Sequence, residues 1–264
     1  MIAEKIITGK TTSDAWAAAF DVLADTKGRR LFHFAVRIEH ADQEVAAIRE
    51  IADRFMKDQA LERDPTIVTV RNTIFPKTVV RLANGPEDLP RVYKVGQSHR
   101  VRYASNSKGR YFERMILGRR VAKDDGINQI AETVRKLRDR PIGKARYEVD
   151  LELSDDDSVA IGVYQAERDI TKPVRSAFPC MSHLSFQRDG DLVHILAYYR
   201  SQDVATKAYG NYLGIGQLGA YVAQQSSLVL GTVTVVAGIA ELNPRPAGLV
   251  KSVRSELASL RTTT

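Results

Sequence analysis

Apolar positions along the chain recur first at helical spacing and then in alternation. Trp16, Ala19, Phe20 and Leu23 share one helix face, with Thr11-Thr12-Ser13-Asp14 in front to cap it and Lys27-Gly28 behind to end it. The partly alternating run at 31–38, rich in aromatic and β-branched residues, predicts a strand, and 43–58 a second helix. Ile67-Val68-Thr69-Val70 and Thr78-Val79-Val80 are expected to be extended, and 84–90, with Gly85, two prolines and acidic residues, to be a loop. Ile127, Ile130, Val134 and Leu137 fall at helix spacing behind Asp124-Asp125, acids that favour a helix start.

The last third is the clearest. Two apolar runs, Leu184 to Gln187 and Leu192 to Tyr199, flank Asp189-Gly190, whose tolerance of positive φ predicts a hairpin. A buried helix is expected over 211–228, its Gly214, Gly216 and Gly219 marking close packing, and a further strand over 233–242. No repeat or linker divides the sequence. The expectation is one α+β domain over 1–264, a mixed or antiparallel sheet with helices packed on it.

Composition narrows the function. The 264 residues are 44% hydrophobic, enough for a substantial core, and no window approaches the roughly 18 to 20 apolar residues of a membrane span. Glu4, Lys5 and Lys10 stand where a signal sequence would be apolar, so a cytoplasmic location is expected. The net charge of +7, from 39 basic and 32 acidic residues, indicates a preference for anions. Nucleic acid is one candidate anion, but no zinc-finger spacing, aromatic RNA-binding signature or arginine-rich tail accompanies the charge, and a phosphorylated small molecule fits equally well.

There is one cysteine, Cys180, which excludes an internal disulfide and leaves a thiol for chemistry. A lone cysteine is by itself more often a small buried hydrophobe than a nucleophile, so its neighbours decide. Phe178-Pro179-Cys180 is followed, where an apolar strand ends, by Tyr199-Arg200-Ser201-Gln202-Asp203, then by Asn211 and by Ala223-Gln224-Gln225.

This order and spacing resemble the thymidylate synthase superfamily, in which a Pro-Cys nucleophile precedes a strand hairpin, an Arg-Ser-x-Asp segment, an Asn and an Ala-Gln-Gln helix. The likeness covers about 111–243, and Arg200, Asp203 and Asn211 follow Cys180 at the family's spacing without a gap. Tyr111-Phe-Glu113-Arg114 and Ile127-Asn128-Gln129-Ile130 are similar to segments of archaeal-type members. The resemblance implies a pyrimidine nucleotide C5-methyl- or hydroxymethyltransferase with methylenetetrahydrofolate as one-carbon donor, acting as a homodimer on a uracil-type nucleotide monophosphate.

It also implies roles. Cys180 is the thiolate that adds to C6, and Arg200 both lowers the thiol pKa and holds the phosphate, with Ser201 beside it. Asn211 pairs with the base, since a carboxamide donates and accepts at once, and Asp203 and Tyr111 belong to the same site. Each has a plainer role open: a helix cap for Asn211, a local turn for Asp203 and Ser201, a solvated charge for Arg200.

Several positions depart from the family. Its arginine pair for the partner's phosphate falls on Lys144 and Ala145, with Lys144 left to supply charge, and Arg29 or Arg30 matches a further phosphate arginine only weakly. The His-x-Tyr that holds the deoxyribose falls on Glu241-Leu242-Asn243, a carboxylate and an amide suited to a ribose or to a structural role. Met181 follows the nucleophile where histidine is frequent, His183 stands two positions on, and neither the folate-side glutamate helix nor the apolar chain end is found, which leaves Glu113 as a substitute acid. A non-catalytic nucleotide-binding or regulatory protein that keeps the fold is the alternative.

Overall fold

The computed structural model describes residues 6–57, 66–96, 111–117, 127–139, 160–162, 180–242 and 246–262. Along the chain lie β1 (Ile7–Thr11), α1 (Thr12–Asp25), β2 (Arg30–His40), α2 (Ala46–Lys57), α3 (Ile67–Ile74), α4 (Lys77–Leu82), α5 (Leu89–Val95) and α6 (Tyr111–Ile116). There follow α7 (Gln129–Asp139), β3 (Ala160–Gly162), β4 (Met181–Asp189), β5 (Leu192–Asp203), α8 (Tyr209–Gln225), β6 (Val229–Glu241) and α9 (Ala247–Thr262). The strands form one six-stranded sheet in the order β1-β2-β6-β5-β4-β3. The pairs β1/β2 and β5/β6 are parallel and the others antiparallel, so the fold is α+β with a mixed sheet.

One face of the sheet is dry. Phe34, Val36 and Ile38 of β2, Val193, Ile195, Ala197 and Tyr199 of β5, and Val233, Val235 and Ala237 of β6 are all buried beneath α1 and α8. The alternate residues, among them Ala35, Arg37, Leu196, Tyr198, Thr234 and Val236, are half-buried or exposed, as the two-residue period of a strand requires when only one face is covered. Helix α8 is buried on every side from Tyr209 to Gly216 and reaches the surface only along Gln217, Ala220, Tyr221, Gln224 and Gln225, which explains its weak amphipathic pattern.

The expected hairpin is present: Gly190 takes φ 58 between β4 and β5, with Asp189 opposite Leu192. The helices over 12–25, 46–57, 129–139 and 209–225 and the strands over 30–40 and 229–241 match their sequence patterns within a few residues. The extended reading of 67–70 and 78–80 is overturned, because both runs are helical, in α3 and α4. Thr66 caps α3 by accepting from the Thr69 N–H at 3.1 Å, and Ile67, Val70 and Ile74 then fall on one buried face. A cap and a core-facing stripe outweigh the modest strand preference of β-branched residues. Thr66→Ala is expected to lower stability by about 1 kcal/mol, measured by urea unfolding, with an unchanged denaturant slope.

The loop expected at 84–90 is partly helical: Pro86–Asp88 forms a 3-10 turn leading into α5, with Pro90 at a first-turn position that needs no N–H. Four elements have no counterpart in the sequence reading: β1, α6, β3 and α9. Among the described residues no helix is long and apolar enough to cross a membrane.

Candidate functional site

Sheet topology assembles the residues of interest at one end. Strand β4 begins at Met181 opposite Tyr199 of β5, Asp203 at the end of β5 lies opposite Glu241 at the end of β6, and Glu241 lies opposite Arg30 at the start of β2. Cys180, the 200–203 segment and Glu241, remote from one another in sequence, thus share one end of the sheet. The Arg200 N–H donates to the Cys180 carbonyl at 2.8 Å, which fixes the backbone of the thiol residue against the arginine.

Helix α6 brings a third element. The Tyr111 hydroxyl accepts from the Met181 N–H at 3.3 Å, directly behind the thiol. Burial pushes the Tyr111 phenol up to about 12, the Cys180 side chain adding to the rise, while the N–H groups of Met181 and Cys180 and the Arg114 guanidinium oppose it. Arg114 is itself buried. Helix α6 is joined to the start of α7 where Gln129 Nε2 donates to the Arg114 carbonyl at 3.1 Å, and Asn128 caps α7 by accepting from the Ala131 N–H.

Cys180 is exposed as a residue, yet enough protein surrounds its sulfur to push the thiol above its ordinary value. Arg200 first and Lys207 second pull in the opposite direction. These cations favour the thiolate, the nucleophilic form, while desolvation favours the inert thiol. Lys207 is absent from the sequence reading; it lies on a five-residue π-helical turn, 204–208, whose irregular spacing gives no periodic signal. The indole of Trp16 donates to the Val204 carbonyl of that turn at 2.9 Å.

The neutral thiol reacts with alkylating agents far more slowly than the thiolate, so the pH midpoint of alkylation reports the thiol pKa. Removing a cation that lowers this pKa moves the midpoint upward. Arg200→Ala is therefore expected to require a higher pH for half-maximal labelling by iodoacetamide, with Lys207→Ala shifting it in the same direction and by less.

The other predicted residues divide. Asp203 accepts from the Ala205 N–H at 2.9 Å and the Thr206 hydroxyl at 2.8 Å, which is the turn-capping geometry. Asn211 is not a cap: it is buried inside α8, and among the described residues its carboxamide meets no hydrogen-bond partner. Glu241 pairs with Arg30 at 2.9 Å, so its carboxylate is engaged by a neighbouring strand of the same chain. Ser201 is half-buried beside Arg200.

Glu113 accepts from the Tyr93 hydroxyl at 3.2 Å. His183 lies on β4, and burial lowers its pKa. Lys144 and Asn243 lie outside the described residues. Among the described residues no cluster of His, Cys, Asp and Glu could hold a metal ion.

Three buried polar side chains back the thiol, and the sequence reading assigned none of them a role. Tyr199, Gln202 and Tyr212 are almost wholly buried, and the Tyr212 hydroxyl donates to Gln202 Oε1 at 3.1 Å. Tyr199 and Gln202 were visible in the sequence as polar residues at an apolar strand's end, but their burial depends on α6 and α8 covering that end.

Compared with known protein families and with curated proteins, the chain matches none of them.

Proposed function

We propose that the chain is a pyrimidine nucleotide C5-methyl- or hydroxymethyltransferase that works through a cysteine adduct at C6. The observation that carries the reading is the junction of β4, β5 and α6: Cys180 held by the Arg200 backbone, with two cations near its sulfur and the Tyr111 hydroxyl on the adjacent N–H. The resemblance of this segment to the thymidylate synthase superfamily supplies the chemistry that such a junction suits.

The Cys180 thiolate adds to C6 of a uracil-type ring, and the C5–C6 π pair moves onto the C4 oxygen as an enolate. C5 then carries nucleophilic character and takes up either a proton or the methylene of a one-carbon donor. After loss of the original C5 proton and release of the tetrahydrofolate amine, the exocyclic carbon takes water to give hydroxymethyl or a hydride from the tetrahydrofolate to give methyl, and expulsion of the thiolate restores the ring. Arg200, with its planar fork, suits the phosphate as well as the sulfur, with Ser201 beside it. The carboxamide of Asn211, without a partner among the described residues, matches the adjacent carbonyl and N–H of uracil. Glu241 and Asn243 are assigned to the sugar side, where the Arg30 pair must open or be shared.

The one-carbon donor proposed is methylenetetrahydrofolate, as a second substrate. Among the described residues helix α9 is pinned to α1 and α2 through Arg254–Asp25 and Arg54–Glu256 pairs, so the donor is assigned to no part of it. The thiol step does not need the donor, since C5 exchanges with solvent protons in the adduct.

The open sheet face supports a homodimer. Leu196 is 41% exposed on it, beside half-buried Tyr198, Thr234 and Val236, a surface that a second copy would cover. Lys144 is assigned to the phosphate across that interface.

The alternative, a nucleotide-binding protein without catalysis, is favoured by one observation, the Arg30–Glu241 pair that occupies the sugar-side carboxylate. Release of tritium from C5-labelled ribo- and deoxyribopyrimidine monophosphates separates the two. Release above background supports the transferase reading; binding of a nucleotide with no release from any of the panel overturns it.

A further inference from the structure

Among the described residues two polar atoms behind Cys180 meet no hydrogen-bond partner, the hydroxyl of Tyr199 and Nε2 of Gln202. Both side chains are at least nine-tenths buried, and a buried donor left unmatched loses its hydration without compensation. The atoms belong to one neighbourhood. Tyr199 sits opposite Met181, whose N–H donates to Tyr111, and Tyr212 donates to Gln202 Oε1 while its ring lies within electrostatic reach of Tyr199. Tyr199 is likewise within reach of Tyr111 and Cys180.

Resting on the reading of Cys180 as the reacting thiol, we propose that Tyr199 and Gln202 hold an ordered buried water behind Cys180, and that this network positions the Tyr111 hydroxyl as a hydrogen-bond donor to the thiolate. A polar pocket with several converging groups retains water, whereas an apolar one stays dry. Gln202 Nε2 donates to the water, Tyr199 and the water together orient Tyr111, and Tyr111, already accepting from the Met181 N–H, has its own proton left for the sulfur.

Among the described residues the charged and titratable groups nearest the sulfur are the cations Arg200 and Lys207 and the phenols Tyr111 and Tyr199, with Arg114 beside Tyr111 and Tyr212 beside Tyr199. Burial keeps these phenols protonated well above the range in which a thiol ionises, so in that range they act as donors. Tyr199 and Gln202 are positioning residues on this account, since neither meets the substrate.

The test uses the chain's single cysteine as its own reporter. Iodoacetamide labelling is followed by mass spectrometry across pH for the parent protein, Tyr199→Phe and Gln202→Met, with Cys180→Ala as the blank. The expected result is a labelling midpoint about one pH unit higher in both variants, hence about tenfold slower labelling near neutral pH, with unchanged circular dichroism. A folded variant with the parent profile overturns the proposal, as does an experimental structure without water between the two groups. A merely unsatisfied hydroxyl would instead give a Tyr199→Phe protein that melts higher and labels like the parent. Should Tyr199→Phe fail to fold, Gln202→Met decides alone. Labelling needs no nucleotide, so absence of tritium release would leave this result standing, and an unshifted profile would leave the transferase reading standing.

Discussion

Cys180→Ala is expected to abolish release of tritium from C5 of the nucleotide that the parent protein processes. Addition at C6 is the step that makes C5 labile, and methyl has neither the electron pair nor the polarisability to add, so the fall is to the background rate, about a thousandfold or more. The measurement is scintillation counting of released water after charcoal removal of nucleotide, with and without folate. Nucleotide binding by calorimetry should survive, since the phosphate and base contacts are assigned to Arg200, Ser201 and Asn211. Release that persists in Cys180→Ala would remove the cysteine from the mechanism.

A second large effect is structural. Gly216 stands where α8 presses against the turn after β2: a Cβ at this position would penetrate the carbonyl of Ala41 and lie 2.7 Å from the Asp42 nitrogen. The obstructing atoms are backbone, which cannot rotate away as the end of a side chain can. Gly216→Ala is therefore expected to lose about 3 kcal/mol or more, against the gain of up to about 1 kcal/mol that the same change brings in an unobstructed helix. Thermal unfolding followed by circular dichroism gives the result, and a variant as stable as the parent would show that α8 can shift away. Because α8 also carries Asn211 and Tyr212, a partly folded Gly216→Ala protein should lose nucleotide binding as well.

Much of this was legible in the chain. Hairpin and helix signals depend on residues close in sequence, so Asp189-Gly190 and the stripe Trp16, Ala19, Phe20 and Leu23 announced their elements. The run at 67–70 misled because its β-branched residues have an intrinsic lean toward strands, while the Thr66 cap and the buried stripe of Ile67, Val70 and Ile74 decide otherwise. Strand β1 is too short to show a pattern and is held by its pairing with β2, whereas α9 does carry a helical stripe, Val250, Val253 and Leu257, which the sequence reading passed over. At His33, with φ 50, Phe34, Val36 and Ile38 follow as buried residues while Phe32 before it is 65% exposed, an interruption that alternation in sequence does not show.

The same division runs through the candidate site. Residue types and their order by themselves single out the groups proposed for the chemistry: one thiol, an arginine and aspartate at a strand's end, and an amide in the following helix. Only the tertiary structure decided how they stand. Pairing across the sheet put Arg30 on Glu241, the capping of the π turn engaged Asp203, and the packing of α6 and α8 over the end of β5 buried Tyr199 and Gln202 behind the thiol. The physical reason is that reactivity at Cys180 depends on desolvation, charge and hydrogen bonding summed over neighbours from distant parts of the chain, and these terms exist only once the sheet and helices have met.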